Sequence, residues 1–297
     1  MRLPIIVMIS LIVVGCKNSI ENIDLKEDIP RLEAAYKKEK SDSLLTKLIY
    51  AYGEKVSITE NKTEKIKLLK NAINMVKVPG YDEYRVVFLA ELIKIDPQGN
   101  AKELLDLGKY YEDEENLNAA SILYSGFKQR YPNDPRIKDI NHKIFIDLSD
   151  SKLYFKNLLK DVFDEKANRG VDTEKGRAFI NEVNAFALGY AGNTSVPNLL
   201  MISADVARAI GDPNTSVGQY DWVYNYYPDY SKASLALFLK GYEIDNSLKR
   251  YDDARKVYDT FLKVYPNDSL AKDVKYLIKN LGKTTDESFR EMLPVEQ

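Results

Sequence analysis

The residues best suited to chemistry in this chain are its acidic clusters and its one histidine. Residues 112–115, 252–253 and 286–287 place carboxylates side by side, and a glycosidase uses two carboxyl groups held across a cleft. These clusters fall at predicted helix ends, where water solvates them and acids favour the amino end of a following helix. His142, the imidazole that serine catalysis would require, falls in a polar helical stretch. We therefore expect solvated surface groups and no enzyme active site.

Composition excludes several other classes of function. The chain has 297 residues, a net charge of −2, one cysteine and one histidine. A near-neutral charge argues against nucleic acid as the main partner. One cysteine excludes an internal disulfide, and one histidine excludes a site that needs two imidazoles. The chain also lacks a phosphate-binding loop, a GxSxG elbow and an EF-hand loop. We expect no cofactor and no metal.

Cys16 has the clearest chemical assignment. Residues 1–16 read MRLPIIVMISLIVVGC, in which a basic start precedes an apolar run that is too short to span a bilayer. Residues 13–16, VVGC, resemble the lipobox of bacterial lipoproteins. That resemblance implies cleavage before Cys16, a diacylglycerol on its sulfur and acylation of the new amine. Several acyl chains give stable membrane anchoring where one would be marginal.

The same resemblance suggests where in the cell envelope the protein is located. Residues 1–15 are predicted to be a signal peptide, and residues 16–40 the lipidated cysteine and a polar tether. Lys17 follows the cysteine, and in envelope lipoproteins the lack of an aspartate there favours the outer membrane. We expect a lipid-anchored protein that faces the periplasm and has no transmembrane helix. The alternative is an ordinary secretory signal in which Cys16 is incidental.

The spacing of the prolines predicts an all-α body. Prolines fall between apolar-periodic stretches and never inside one, which marks connections between helices of about 13–17 residues. No segment shows the sustained alternation of a β-strand. The motif Tyr131-Pro132-Asn133-Asp134 recurs at 265–268 and more loosely at 227–229. A weaker copy at 95–97 places Pro97 35 residues before Pro132, and Pro228 lies 38 residues before Pro266. Such intervals predict stacked helical hairpins, each too small to bury its own apolar face.

Residues 101–134 resemble a tetratricopeptide repeat (TPR) at that family's spacing. Leu104, Leu107, Gly108 and Tyr111 lie on the first predicted helix, Ala120, Tyr124 and Phe127 lie on the second, and Pro132 closes the unit. The unit ending at Pro266 matches nearly as well, with Ala254, Tyr258 and Phe261 at the corresponding positions. Gly241 is one residue early, which implies a longer turn through residues 246–248. The resemblance implies a right-handed superhelical stack of antiparallel helix hairpins. Residues from about 197 to 286 also resemble TPR lipoproteins of Gram-negative envelopes.

We assign residues 41–282 to this TPR-like solenoid and residues 283–297 to a C-terminal tail. Residues 140–192 depart from the pattern and form an irregular middle. In that middle, two apolar stripes are expected to face the core, one at Leu153, Leu158, Leu159 and Phe163 and the other at Phe179, Val183 and Phe186.

In the TPR family the first helices of the hairpins line the concave face. Carrying those positions over implies a groove that mixes both charges with apolar side chains, which suits an extended peptide or a partner helix. The predicted partner-binding residues are Lys102, Lys109, Glu112, Asn198, Met201, Asp205, Arg208, Phe238, Tyr242 and Asp245. Of the groove positions, Leu105, Leu235 and Phe238 are the most readily covered by the next hairpin.

The run YDWVYNYYPDY at 220–230 is the most unusual local feature. Trp222 and Tyr226 lie four residues apart, on a different helical face from Tyr220, Val223 and Tyr227. If exposed, they form a stacking platform for a peptide or a sugar. Packing between helices is the favoured interpretation.

Two hypotheses of function follow. The first is a lipid-anchored scaffold for envelope proteins or peptides, in outer-membrane assembly or envelope coordination. The alternative is a glycan-binding lipoprotein of the SusD type, which also carries TPR helices, although those chains are usually much larger.

Overall fold

The structure, a computed structural model, describes residues 29–163 and 170–283. Regular structure in these ranges is helical throughout, so the all-α prediction is confirmed. The helices are α1 (Ile29–Lys38), α2 (Asp42–Ile58), α3 (Lys62–Met75), α4 (Asp82–Ile95), α5 (Ala101–Asp113), α6 (Leu117–Arg130), α7 (Ile137–Ile140), α8 (Ser151–Val162), α9 (Thr173–Gly189), α10 (Val196–Ala209), α11 (Pro213–Tyr226), α12 (Ala233–Asn246), α13 (Tyr251–Val264) and α14 (Ala271–Asn280). The signal peptide, Cys16 and the tail after Lys283 lie outside the described residues.

The predicted connections carry the expected helix-start chemistry. Asn61 accepts a hydrogen bond from the Glu64 amide, and Asp172 accepts from the amides of Glu174 and Lys175. Such caps satisfy amide groups that have no partner within the helix. Pro213 is the first residue of α11, where the missing N–H is not needed. The sequence thus sets the helix starts locally.

The chain divides into two compact units, one ending at Val196 and the other beginning at Pro197. In the N-terminal unit, α1 to α6 each pack against the next helix. The tether prediction for 16–40 is wrong from Ile29 onward, because α1 buries Leu32 and Tyr36 against α2. Those two residues are four apart and therefore lie on one helical face.

The irregular middle begins with a departure from sequential packing. After α7 come a 3₁₀ turn (Asn141–Lys143) and a segment whose Phe145 and Ile146 amides donate to the Ser121 hydroxyl. Helix α6 then packs directly on α9. The closest approach is at Gly126, where a Cβ would lie 2.6 Å from the Gly189 Cα. Two glycines thus allow the two helix backbones to touch.

One predicted stripe in this middle is confirmed and the other is wrong. Phe179, Val183 and Phe186 are buried in α9 as expected. In α8, however, Phe155 and Val162 are buried, while Leu153 and Phe163 are 52% and 45% exposed. The helix ends at Val162, so Phe163 leaves the helical register on which the prediction depended.

In the C-terminal unit, α11 packs on α12, α12 on α13 and α13 on α14. The longer turn expected after α12 contains Lys249 with a φ of 55°, a left-handed conformation. Helix α14 is the last helix of the described residues, and Gly282 follows it with a φ of 75°, which glycine adopts at little cost.

Candidate functional site

Paired helices in both units are joined by the same kind of hydrogen bond. In each case a tyrosine hydroxyl donates to a carboxylate on another helix. The pairs are Tyr52–Glu33 (2.5 Å), Tyr124–Glu112 (2.9 Å), Tyr154–Glu182 (2.5 Å), Tyr220–Asp205 (2.9 Å) and Tyr258–Asp245 (3.5 Å). Burial is the main cause that raises the pKa of each of these tyrosines, and the carboxylate adds to it. The tyrosines therefore stay protonated and act as fixed clamps.

Two of these clamps stand over a glycine of the first helix. A Cβ at Gly108 would lie 2.5 Å from the Tyr124 ring, and one at Gly241 would lie 2.6 Å from the Tyr258 ring. Real Cβ atoms do not approach this closely, so glycine makes room for the tyrosine. At Gly108 the two helices therefore approach closely. The clamp thus packs the second helix closely against the side of the first helix that carries the glycine.

The first helices of two hairpins in the C-terminal unit, α10 and α12, carry most of the predicted partner-binding residues, and we call their exposed surface the α10/α12 face. It carries Asn198, Asp205 and Arg208 of α10 together with Tyr242 and Asp245 of α12. Asn198, Asp205, Arg208 and Tyr242 are exposed, and Asp245 is half-buried. Five of the predicted partner-binding residues are thus accessible within one unit.

Arg208 links the two helices of this face. Its guanidinium lies 3.3 Å from an Asp205 oxygen on α10 and 3.7 Å from a Glu243 oxygen on α12. Glu243 is 1% exposed and also accepts a hydrogen bond from the Ser247 hydroxyl. A buried carboxylate needs such partners, because an unpaired charge in the interior is costly. Arg208 itself remains about half exposed, so it presents a fixed positive charge to solvent.

The apolar part of the face is a row of aromatic rings. Tyr242 stacks on Phe238 with centroids 6.3 Å apart, and Phe238 meets the buried Phe261 edge-on at 6.4 Å. Asp245 borders the row, and burial raises its pKa, while the Tyr258 hydroxyl and Lys249 oppose that rise. The face therefore combines an aromatic ring packed on Phe238 with the guanidinium of Arg208 and the carboxylates of Asp205 and Asp245.

The predicted residues of α5 lie in the N-terminal unit and are more occupied. Lys102 is exposed, whereas Lys109 pairs with Asp113 at 2.9 Å. Glu112 accepts from the Tyr124 hydroxyl and pairs with Lys143 at 2.7 Å, and Lys143 is the main cause that lowers its pKa. Glu112 is therefore a structural acceptor more than a group available to a partner.

Two predicted site residues are buried, and for them the prediction of a binding role is wrong. Trp222 is 2% exposed and Met201 is 7% exposed. Trp222 cannot serve as a stacking platform, so the alternative of helix packing holds for it. Tyr226 is half-buried. Both misplaced residues lie on helical faces that the sequence pattern leaves ambiguous, because a stacked helix is covered on more than one side.

His142 is exposed in the 3₁₀ turn, as expected for a solvated histidine. Among residues 29–163 and 170–283, no cluster of His, Cys, Asp and Glu has the arrangement of a metal site. In the same ranges, no helix has the length and apolar character needed to cross a bilayer.

Sequence reasoning missed a pair of adjoining clefts in the N-terminal unit, of about 520 and 550 Å³. They share Gln129, Tyr190 and Asn193, at the carboxyl ends of α6 and α9. Arg130 lies in the first cleft and donates to the carbonyls of Pro97, Leu188 and Gly189. The signal that could have indicated this junction is Gly126 in the middle of an apolar helix. Through these hydrogen bonds Arg130 connects the carboxyl ends of three helices, α4, α6 and α9.

Comparisons with known proteins assign no family. No protein-family model, no curated protein and no solved structure matches this chain significantly.

Proposed function

We propose that this chain is a lipid-anchored, TPR-like scaffold that binds envelope proteins or peptides, in outer-membrane assembly or envelope coordination. The lipobox-like residues 13–16 support both the lipid anchor and the location in the cell envelope. Cys16 takes the lipid, and the helical hairpins present the binding surface. No catalytic step is involved.

The observation that carries the binding role is the α10/α12 face. A rigid stack supports an exposed tyrosine beside a fixed guanidinium, and Tyr and Arg are the residue types that dominate the energetics of protein interfaces. Phe238 and the clamps behind the face fix these side chains before a partner arrives. Binding then costs little conformational entropy.

The mixed charges favour a peptide or helix that carries both charges. Arg208 suits a carboxylate of the partner, and Asp205 suits a lysine or an arginine. Tyr242 supplies apolar contact between them. An extended peptide or an amphipathic helix laid along α10 and α12 meets all three groups.

The test is photo-crosslinking in cells from a photoreactive residue placed at Tyr242. We expect one dominant envelope protein in the adduct. The matched control is the same residue at Tyr276 of α14, which is an exposed tyrosine in the same unit. Arg208→Glu should lower the yield from position 242 roughly tenfold, because it reverses a charge at the interface. Because Arg208 also pairs with the buried Glu243, circular dichroism of this variant must match that of the wild type.

Arg255→Glu provides the control for that substitution, since Arg255 is exposed on α13. It should leave the adduct unchanged. Equal adducts from positions 242 and 276, or no adduct from either, would contradict the proposed face. The anchor is checked separately, by the mass of the amino-terminal peptide and by membrane release of Cys16→Ala.

A further inference from the structure

The first three helices carry a net positive charge, whereas the chain as a whole is slightly negative. Residues 29–80 contain eleven Lys and Arg against six Asp and Glu, whereas the whole chain has a net charge of −2. Nine of the eleven cationic side chains are exposed. This excess of positive charge therefore lies on the surface of α1 to α3.

Among the described residues, no ion pair compensates this excess. No Lys or Arg of residues 29–80 forms an ion pair with a carboxylate of the described residues. Lys77 donates to the Asn74 side chain, and Lys40 lies over the Tyr36 ring. Elsewhere ion pairs are common, as in Arg85–Asp106 and Lys240–Asp221. Unpaired surface cations in one region make that region attractive to anions.

Helix α3 carries four of the cations of this region, Lys62, Lys65, Lys67 and Lys70, against one acid, the exposed Glu64. Helix α3 buries Leu69, Ala72 and Ile73, and its opposite side presents Thr63, Lys67 and Lys70 to solvent. Lys62 and Lys77 are exposed at its two ends. Ile58, at the end of α2, is 69% exposed and precedes Lys62 by four residues. Exposed lysines next to an exposed aliphatic side chain are typical of surfaces that contact a bilayer.

The position of the predicted anchor favours the same partner. Twelve residues separate Cys16 from Ile29, and a chain of that length spans at most about 40 Å. Lipidation at Cys16 would therefore keep α1 to α3 close to the lipid headgroups. Each lysine brought to an anionic surface strengthens binding by about fivefold.

We infer that the exposed basic surface of α1 to α3, centred on Lys67 and Lys70, contacts anionic phospholipid headgroups as a second attachment to the membrane. The inference rests on the proposed function for the proximity that the anchor gives. The charge and exposure of the helices stand apart from it. Such a contact would orient the scaffold on the bilayer.

The test places a single label on this surface. Cys16 is the one native cysteine, so Thr63→Cys in the full chain adds one thiol on the outer side of α3. An environment-sensitive dye there should respond to vesicles that contain phosphatidylglycerol and not to pure phosphatidylcholine. The response should fade at high salt, because ions screen charges at the surface. The control position is Thr260→Cys, an exposed threonine of α13.

A matched pair of charge reversals identifies the residues responsible. Lys67→Glu with Lys70→Glu should abolish the response at position 63. Lys272→Glu with Lys275→Glu makes the same change of charge at the same spacing on α14, and it should have no effect. A chain that stays on both kinds of vesicle while the label at 63 gives no response would overturn the inference and leave the anchor standing.

The remaining outcomes also decide the question. A free Cys16 thiol and no retention on phosphatidylcholine would show that the anchor fails. Salt-sensitive binding to phosphatidylglycerol that requires Lys67 and Lys70 would then still support the contact, and its absence would overturn it. The acidic residues of 17–28 are the rival occupant of this surface. If the label is shielded without vesicles and Asp24→Asn with Glu27→Gln releases it, the inference is wrong.

Discussion

The hairpins α5/α6 and α12/α13 share the residues that pack their two helices together. They differ on the side of the second helix that faces away from the first, which we call the back of that helix. Tyr124, Phe127 and Pro132 of the first correspond to Tyr258, Phe261 and Pro266 of the second, at a constant offset of 134 residues. Yet α6 buries eight of its fourteen residues and α13 buries three. Ile122 and Gly126 are buried in α6, and their equivalents Lys256 and Thr260 are exposed in α13.

The difference separates two kinds of information in one motif. The Gly, Tyr and carboxylate positions close a hairpin, and they occur in both. The residues on the back of the second helix depend on which further helix packs there. Helix α9 packs on α6, and α14 packs on part of α13. A hairpin pattern therefore predicts pairing and leaves the further contacts of the hairpin to other positions.

Exchanging the equivalent back residues should give the largest effect. Ile122→Lys places a charge at a site that is 0% exposed, and we expect it to lower the free energy of unfolding by about 4 kcal/mol or more. Lys256→Ile should change it by less than about 0.5 kcal/mol. Urea unfolding followed by circular dichroism measures both. Similar losses for the two exchanges would contradict the distinction.

The glycine contact between α6 and α9 should give the next largest effect. Gly126→Ala directs a methyl group at the Gly189 backbone, and the clash should lower the free energy of unfolding by about 3 kcal/mol. Gly189→Ala meets its nearest atom at 3.4 Å and should stay within about 1 kcal/mol. The same unfolding experiment checks the pair, with Thr260→Ala as the control in α13. A reversed order would show that the crossing differs from the one described.

Removing the clamp hydroxyls should have a smaller effect that differs between the hairpins. Tyr124→Phe breaks a 2.9 Å bond to a carboxylate, which should cost about 1.5 kcal/mol. The bond from Tyr258 is 3.5 Å long, so Tyr258→Phe should cost about 0.5 kcal/mol. Chemical denaturation of the two variants gives the comparison. If Tyr258→Phe lowers the free energy of unfolding more than Tyr124→Phe does, the strength of these hydrogen bonds does not follow their length.

The carboxylates of the two clamps should respond to pH with opposite signs, and this is the smallest effect. Lys143 lowers the pKa of Glu112 in the folded state, so its stabilising contribution is present above the usual glutamate pKa and lost as the pH falls. Burial raises the pKa of Asp245, so the folded state binds more protons and stability falls as the pH rises through the usual aspartate range. Unfolding of Glu112→Gln and Asp245→Asn from pH about 3 to about 7 measures both slopes against the wild type. Slopes of the same sign would contradict the assignment.

Local sequence patterns predicted the helices well, and they also predicted the packing between the two helices of each hairpin. Proline spacing marks the connections, and the Gly108 and Tyr124 positions give the close packing that the structure has. These features depend on residues within about 35 positions of each other. They are also set by rules that hold for any helix, such as capping and the steric demands of a tyrosine ring.

Contacts between distant segments were harder to predict. The crossing of α6 and α9 joins Gly126 and Gly189, which are 63 residues apart, and one sequence does not reveal which helix meets which. The continuous small and apolar run around Ile122 did contain a hint, because a helix that is apolar all round is buried on all sides. Trp222 shows the same difficulty, since its burial depends on what packs around α11.

Trp222 also has a practical consequence. It is the one tryptophan of the chain, and it is buried in the C-terminal unit. Its fluorescence therefore reports the unfolding of that unit, while the far-ultraviolet signal sums the helices of both. Two midpoints that differ would show that the units melt separately, and a single midpoint would show that they melt together. The protein thus carries a built-in optical probe of its own cooperativity.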